Sequence, residues 1–207
     1  MGLIKGTSGL TRFIVEDPVP DDYMETFPLM IERYAFRNLD NTSDLERSSG
    51  WVNIMDMFDN DFTNMQYIKT PYLAMTYRID VRRVPAGALR QYSLEAESKV
   101  LAMEGLEFLP KPRKKEIKEM TKLGLLKRAI PVSKTYDMVW NMDKGYLFFS
   151  GVNRKLCDEF SSFFSKCFNL RLGSVYPFLT ASGFLKEKGM QPELLEELSY
   201  SITGGNR

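Results

Sequence analysis

The sequence changes periodicity on either side of Pro85, and this change constrains the fold more than any other feature. Residues 72–81, YLAMTYRIDV, alternate large or apolar side chains with smaller or polar ones, which predicts a strand with one covered face. In residues 86–104 the apolar side chains instead recur every three or four positions, which predicts a helix. They are Leu89, Tyr92, Ala96, Val100 and Met103. The fold must therefore combine sheet and helix.

Further segments extend this pattern to both ends of the chain. Strands are predicted at residues 11–15, around Gly50-Trp51-Val52, at 135–140 and 146–150 as a hairpin, and at 170–175. Helices are predicted after Pro20-Asp21-Asp22, with a kink or an early end at Pro28, and at residues 113–128 and 154–168. The order β-α-β-β-α-α-β-β-α-β favours an α+β fold with antiparallel sheets packed against helices. We expect residues 1–178 to form this α+β region and residues 179–207 to form a C-terminal helical tail, with Pro192 near the start of its last helix.

The chain needs no metal or disulfide to fold. Its 207 residues are 43% hydrophobic and 27% charged, which suffices for a hydrophobic core. No apolar run reaches the ~20 residues of a membrane span, and the first residues lack the apolar segment of a signal peptide. We therefore expect a cytoplasmic protein without a membrane partner.

The chain contains no histidine, which excludes Ser-His and Cys-His nucleophilic pairs and histidine-liganded zinc. The two cysteines, Cys157 and Cys167, lie ten positions apart in an apolar segment. This spacing is not that of a zinc or redox motif, so we interpret both as buried thiols. The sequence predicts no cofactor, no metal site and no catalytic residue, and we expect a protein that is not an enzyme.

Charge is segregated along the chain although the net charge is only +1. Residues 1–77 carry 6 basic and 12 acidic side chains, whereas residues 78–134 carry 14 basic and 7 acidic ones. A positive middle region is typical of a site for a polyanion, although most charged helices are simply solvated.

Residues 111–128 are the most basic segment, with eight basic and two acidic side chains. Lys114, Lys118 and Lys122 are four positions apart, so on a helix they form a stripe that could follow a phosphate backbone. Such contacts are insensitive to base sequence.

Acidic clusters offer a nuclease as an alternative. Glu116-Ile117-Lys118 matches the Glu-x-Lys end of a metal-dependent nuclease motif, but that motif needs a strand and this segment is predicted to be helical. Asp56, Asp59 and Asp61 lack the Gly and the distal Glu of a calcium loop, and the acidic residues at 193–197 are interpreted as a solvated helix face.

Aromatic residues are abundant, with 14 Phe, 10 Tyr and 2 Trp. Most fall on faces predicted to be inward, so we interpret them as core rather than as base-stacking platforms. They are Trp51, Trp140, Phe148, Phe149, Phe160, Phe163, Phe164 and Phe168.

Several short motifs occur in an order that resembles the recombination-associated RdgC proteins of bacteria. They are Gly50-Trp51-Val52, the strand at 72–81, Val84-Pro85, the basic run Lys114 to Glu119, Leu125 to Ala129 and the strand before Pro177. The resemblance spans about residues 10–178.

The resemblance implies a DNA-binding protein without strong sequence preference, acting in recombination or replication at the nucleoid. In that family two subunits close into a ring around duplex DNA, and DNA occupancy restrains the RecA recombinase. The resemblance thus implies DNA, a second copy of the chain and a RecA-like recombinase as partners. Together with the basic segment, it gives as phosphate contacts Arg82, Arg83, Arg90, Lys111, Arg113, Lys114, Lys115, Lys118, Lys122, Lys127 and Arg128.

The chain departs from the family pattern in two places. The family reads Leu-Leu-Pro-Arg-Ala-Phe where this chain ends the motif with Ile130, so the aromatic that engages a partner subunit at the tip of a finger-like projection is absent. The family also continues for a second half beyond the position of Pro177. We therefore also consider a protein-interaction module that keeps the fold without binding DNA.

Overall fold

A computed structural model describes residues 9–39 and 45–175 continuously, with residues 3, 6, 181–182, 184–185, 188–191 and 195 outside these ranges. The strands are β1 (Thr11–Val15), β2 (Arg47–Val52), β3 (Ile68–Lys69), β4 (Tyr72–Val81), β5 (Val132–Asn141), β6 (Tyr146–Phe149) and β7 (Leu172–Ser174). The helices are α1 (Tyr23–Arg33), α2 (Ala86–Glu104), α3 (Lys111–Arg128) and α4 (Arg154–Phe168). The α+β prediction is confirmed, and the two-residue strand β3 is the one addition to the predicted order.

The strands form a single antiparallel sheet in the order β2-β4-β5-β6-β1-β7, and β3 pairs with β4 beside this path. Its centre is the long pair of β4 and β5, which runs from Tyr72 opposite Asn141 to Val81 opposite Val132. The predicted hairpin is therefore part of one continuous sheet, in which β6 joins β5 to β1.

The hydrophobic core lies between one face of this sheet and helices α1 and α4. Helix α1 contributes Phe27 and Ile31, both with no exposed surface. The ring of Phe160 on α4 stacks on Phe149 of β6 with centroids 3.9 Å apart. Trp51 lies at the centre, where its indole N–H donates a 3.2 Å hydrogen bond to Cys167 Sγ. Burial of aromatic side chains of this size is the main source of stability.

Most of the expected core aromatics are confirmed. Trp51, Trp140, Phe149, Phe160, Phe164 and Phe168 are buried, and Phe163 packs at the edge of the core. The prediction for Phe148 is wrong, because it is 40% exposed. It lies between the buried residues Leu147 and Phe149, and alternation along a strand directs it to the opposite face. Cys167 is buried as expected, whereas Cys157 is partly exposed.

The other face of the sheet buries polar groups. Thr76 and Asp80 on β4 point to this side and are 3% and 2% exposed. The Arg78 guanidinium lies between them, 4.2 Å from the centroid of the Phe36 ring. Thr76 donates a 2.6 Å hydrogen bond to Asp137 on β5. Because these buried residues are polar, the sequence of β4 alternates between apolar and polar side chains even though the strand is buried on both faces.

Helices α2 and α3 form a hairpin inserted between the neighbouring strands β4 and β5. The two helices pack mainly against each other, and the residues that they bury are Ser93, Ile117 and Leu126. The predicted helix at 86–104 is confirmed at both ends, but Tyr92 and Met103 from its apolar series are 47% and 87% exposed. The apolar period thus indicates a helix here without indicating a buried face.

Some predicted element ends differ from the structure. Helix α1 continues through Pro28 to Arg33, so an early end is wrong. Gly50, Trp51 and Val52 close strand β2 rather than open it. Most of the predicted tail, residues 179–207, including Pro192, lies outside the described residues. Among the residues that the structure describes, no helix is long and apolar enough to cross a membrane.

Candidate nucleic-acid interface

Helix α3 carries most of the candidate phosphate contacts. This helix is only weakly anchored to the rest of the protein. It starts after Pro110, with Pro112 in its first turn, where a missing backbone N–H costs nothing. Lys127 and Arg128 occupy its last turn, where positive charge suits the helix dipole. Only Ile117 and Leu126 are buried on this helix, so most of its basic surface faces solvent.

The stripe formed by Lys114, Lys118 and Lys122 faces carboxylates on two neighbouring elements. Lys114 Nζ lies 3.6 Å from Glu97 Oε2 on α2, and Lys122 Nζ lies 2.8 Å from Glu46 Oε1 next to β2. The hydrogen bond to Glu46 raises the pKa of Lys122. One acidic residue of the N-terminal third, Glu46, therefore reaches the stripe.

Lys118 lies at the middle of the stripe, on the same side of the hairpin as Arg90 of α2. Both residues line a groove of about 320 Å³ between the two helices, together with Glu97 and Ser93. The structure thus brings Arg90 and Lys118, which are far apart in sequence, to one place on the hairpin surface.

Arg113 is held near the loop that joins α2 to α3. Its Nη1 donates a 2.7 Å hydrogen bond to Glu116, and its Nη2 lies 3.4 Å from Glu104 Oε1. These two carboxylates raise the pKa of Arg113 further. Glu116, the acidic residue of the possible nuclease motif, is thus on a helix and paired with an arginine.

Nine of the eleven candidate cations are exposed. They are Arg83, Arg90, Lys111, Arg113, Lys114, Lys115, Lys118, Lys127 and Arg128. Lys122 is partly exposed beside Glu46. Arg82 differs from all of them, because it is 1% exposed and its Nη2 donates to the carbonyl of Leu39. Arg82 therefore does not reach solvent, and it is left out of the candidate surface.

Arg83 lies apart from the α3 stripe, in a second basic site that the sequence does not reveal. It lines a cleft of about 620 Å³ together with Arg47 of β2, Lys134 of β5 and Lys155 of α4. These cations come from four distant parts of the chain. Strand register brings two of them together, because Arg47 lies opposite Val81 and Lys134 lies opposite Ile79 on the neighbouring strand β4.

Ile130 is not at the tip of a projection. It lies in the connection between α3 and β5, where it lines the same cleft and is 87% exposed. The tip of the α2–α3 hairpin is formed by residues 105–110. The position expected to engage a partner subunit is therefore at the base of the hairpin.

The aspartates at 56–61 form successive turns. Asp56 accepts a hydrogen bond from the N–H of Phe58, Asp59 from that of Asp61, and Asp61 from that of Thr63. The bonds from Thr63 lower the pKa of Asp61. Each carboxylate thus stabilises the backbone two residues ahead, as in an Asx turn. Within the described ranges, no group of three or more acidic or cysteine side chains could hold a metal ion.

No protein-family model matches the chain, and no curated protein is significantly similar to it.

Proposed function

We propose that this protein binds the phosphate backbone of DNA without sequence preference and acts in DNA recombination or replication, with no bond made or broken. The observation that carries the proposal is α3, which exposes basic side chains along most of its 18 residues. A helix of this length extends about 27 Å, which matches roughly eight base-pair steps of duplex. The order of short motifs that resembles RdgC proteins supports the same function.

The carboxylates near the stripe do not argue against phosphate binding. The pairs of Lys114 with Glu97 and of Lys122 with Glu46 are made by side chains that are 51% and 40% exposed on the lysine side. Exposed ion pairs of this kind contribute little to stability, because solvent screens them. A DNA backbone carries one negative charge per ~1.7 Å of axis, so it can replace such carboxylates as the partner of the lysines.

The test compares duplex binding by the full chain and two charge-matched variants. Lys115→Glu with Lys118→Glu reverses two exposed lysines on α3. The sheet variant, Lys69→Glu with Lys144→Glu, reverses one exposed lysine on β3 and one in the turn between β5 and β6. We expect the α3 variant to bind every duplex sequence more weakly by a similar factor and to reduce the salt slope by about 1 for each lost contact. The sheet variant should keep the slope of the unmodified chain.

Two results would contradict the proposal. One is the absence of duplex binding at ~50 mM salt, where non-specific binding is strongest. The other is an equal loss of affinity in both variants, which would indicate an effect of net charge rather than a contact surface on α3. Thermal unfolding of each variant checks that its fold is retained.

A second candidate function, a protein-interaction module, is favoured by the tip of the α2–α3 hairpin. Met103 and Phe108 are 87% and 75% exposed there, and Leu106 lies between them. Exposed apolar clusters of this kind mark contact surfaces. A second copy of the chain or a RecA-like recombinase are the partners that the resemblance to RdgC suggests. Mass in solution, with and without duplex, measured for the protein and for Phe108→Glu, tests whether this tip joins two copies.

A further inference from the structure

The cleft that contains Arg83 lies where helix α4 stops covering the sheet. Its walls come from one end of the sheet and from the first two turns of α4, and its volume is about 620 Å³. This size falls within the range of about 300–1,000 Å³ that is typical of small-molecule sites. Its lining includes Arg47, Arg83, Ile130, Val132, Lys134 and Lys155.

The floor of the cleft is apolar and partly uncovered. Val81 of β4 lies opposite Val132 of β5, two residues beyond the buried Ile79, and all three line the cleft. Val132 is 65% exposed, and Ile130 beside it is 87% exposed. The α4 face of the sheet therefore continues past the helix as open apolar surface, flanked by the half-buried ring of Tyr136.

The rim of the cleft carries more positive charge than its one carboxylate, that of Glu159, can neutralise. Glu159 pairs with Arg47 and also accepts a 2.9 Å hydrogen bond from Tyr77. Arg83, Lys134 and Lys155 form no ion pair within the part of the chain that the structure describes. Three uncompensated cations thus surround an apolar floor, an arrangement that selects an anion attached to a flat or apolar body.

We propose that this cleft binds a nucleoside phosphate, either as a free nucleotide or as an unpaired nucleotide of a single strand. A phosphate carries one or two negative charges and several acceptor oxygens, which matches lysine and arginine donors that converge from different elements. The base and sugar supply the flat apolar surface that Ile130, Val132 and Tyr136 leave uncovered. Base faces are accessible to such a surface in single strands and hidden by stacking in duplexes.

This site goes beyond the proposed duplex surface and can be tested separately. Lys134 and Lys155 lie on β5 and α4, outside the α3 helix. Reversing their charge should therefore change nucleotide binding without changing the duplex affinity that depends on Lys115 and Lys118.

The experiment uses calorimetry to measure the binding of three probes: AMP, inorganic phosphate and an oligothymidylate of eight nucleotides. We expect AMP or the oligothymidylate to bind at least ten-fold more tightly than inorganic phosphate. Lys134→Glu with Lys155→Glu should weaken that binding ten-fold or more, and Lys69→Glu with Lys144→Glu should leave it unchanged. Preference for AMP identifies a free nucleotide as the ligand, and preference for the oligomer identifies a strand.

Three outcomes would overturn the inference. They are no binding of either nucleotide probe, binding of both nucleotide probes no tighter than that of inorganic phosphate, and equal loss in both lysine variants. Ile130→Ser provides a second variant that keeps every charge, and it should weaken binding of the nucleotide probe while leaving inorganic phosphate unaffected. Duplex affinity measured on the same proteins separates failure of this site from failure of the α3 surface.

Discussion

Arg78 and Asp80 lie two residues apart on β4 and are joined by two hydrogen bonds, from Nε at 2.8 Å and from Nη2 at 2.7 Å. Both side chains are buried on the sheet face opposite α4, where Arg78 also donates to the carbonyl of Met57. A buried ion pair of this kind is satisfied only while both partners are present, because each charge alone is costly to desolvate.

Removing one partner should therefore destabilise the protein more than removing both. We expect Asp80→Leu or Arg78→Leu to lower the free energy of unfolding by about 3–5 kcal/mol. The double variant Arg78→Leu with Asp80→Leu should lose less than the sum of the two single changes, because neither charge is left unpaired. Urea unfolding of the four proteins measures these values, and simple additivity would show that the pair is not coupled.

Replacing either of two glycines with alanine should change the stability of the protein in opposite directions. A Cβ at Gly50 would lie 2.5 Å from Phe36 Cα and 2.6 Å from Phe36 N, whereas one at Gly124 meets no atom within 4 Å. We expect Gly50→Ala to cost about 1–3 kcal/mol through overpacking. Gly124→Ala, in the interior of α3, should stabilise the protein by up to about 1 kcal/mol. Thermal unfolding compares the two, and a neutral Gly50→Ala would mean that β2 and Phe36 can separate.

The two cysteines should differ in reactivity. Burial raises the pKa of the Cys167 thiol to about 12, and the thiolate is the reactive form. We expect an alkylating reagent at pH 8 to modify Cys157 first and to modify Cys167 only after unfolding. Mass spectrometry of the Cys157→Ser variant, labelled with and without urea, isolates the second thiol. Rapid labelling of Cys167 in the folded variant would show that the centre of the core opens readily.

Alkaline pH should destabilise the fold through Tyr77. Burial raises its pKa from 10.0 to about 12, so the folded state keeps the phenol protonated while the unfolded state releases the proton. Stability linked to this group is therefore complete below pH 10 and is lost as pH rises towards 12. Tyr77→Phe should show a shallower decrease of the urea midpoint over this range. An equal decrease in both proteins would assign the alkaline effect to other groups.

Freeing Lys122 from Glu46 should strengthen duplex binding. Because the carboxylate lies 2.8 Å from the ammonium group, Glu46→Gln makes Lys122 available to phosphate and removes one negative charge. Glu95→Gln is the matched control, since Glu95 pairs with Lys99 on α2 and the change in net charge is the same. We expect a several-fold gain in affinity at low salt for Glu46→Gln and a smaller one for the control. Equal gains would indicate net charge alone.

The element order and the core were predictable because they follow from local patterns. Alternating apolar and polar side chains predicted β4, and apolar side chains that recur every three or four residues predicted α2 and α4. Phe148 shows the limit of this reasoning, because two adjacent aromatics on a strand cannot both face inward. Arg82 shows another limit of sequence patterns. It is buried whereas the next residue, Arg83, is exposed, and nothing in the neighbouring sequence predicts this difference.

The candidate site was predictable only where its residues are neighbours in sequence. Helix α3 is basic within one segment, so its charge could be found by counting. The cleft gathers Arg47, Lys134 and Lys155 through strand register and the placement of α4, and neither property can be calculated from a single sequence. The pairing of Lys122 with Glu46 likewise depends on how α3 lies beside the start of β2.

The register of β4 and β5 has a consequence for how this protein can vary. Val81 and Val132 lie side by side, so the whole hairpin leaves the sheet and returns to it at adjoining points. Its length can change over evolution, or be shortened by design to a tight turn, without displacing a single ladder hydrogen bond. The sheet is thus a fixed base, and the basic hairpin is an exchangeable attachment of adjustable length.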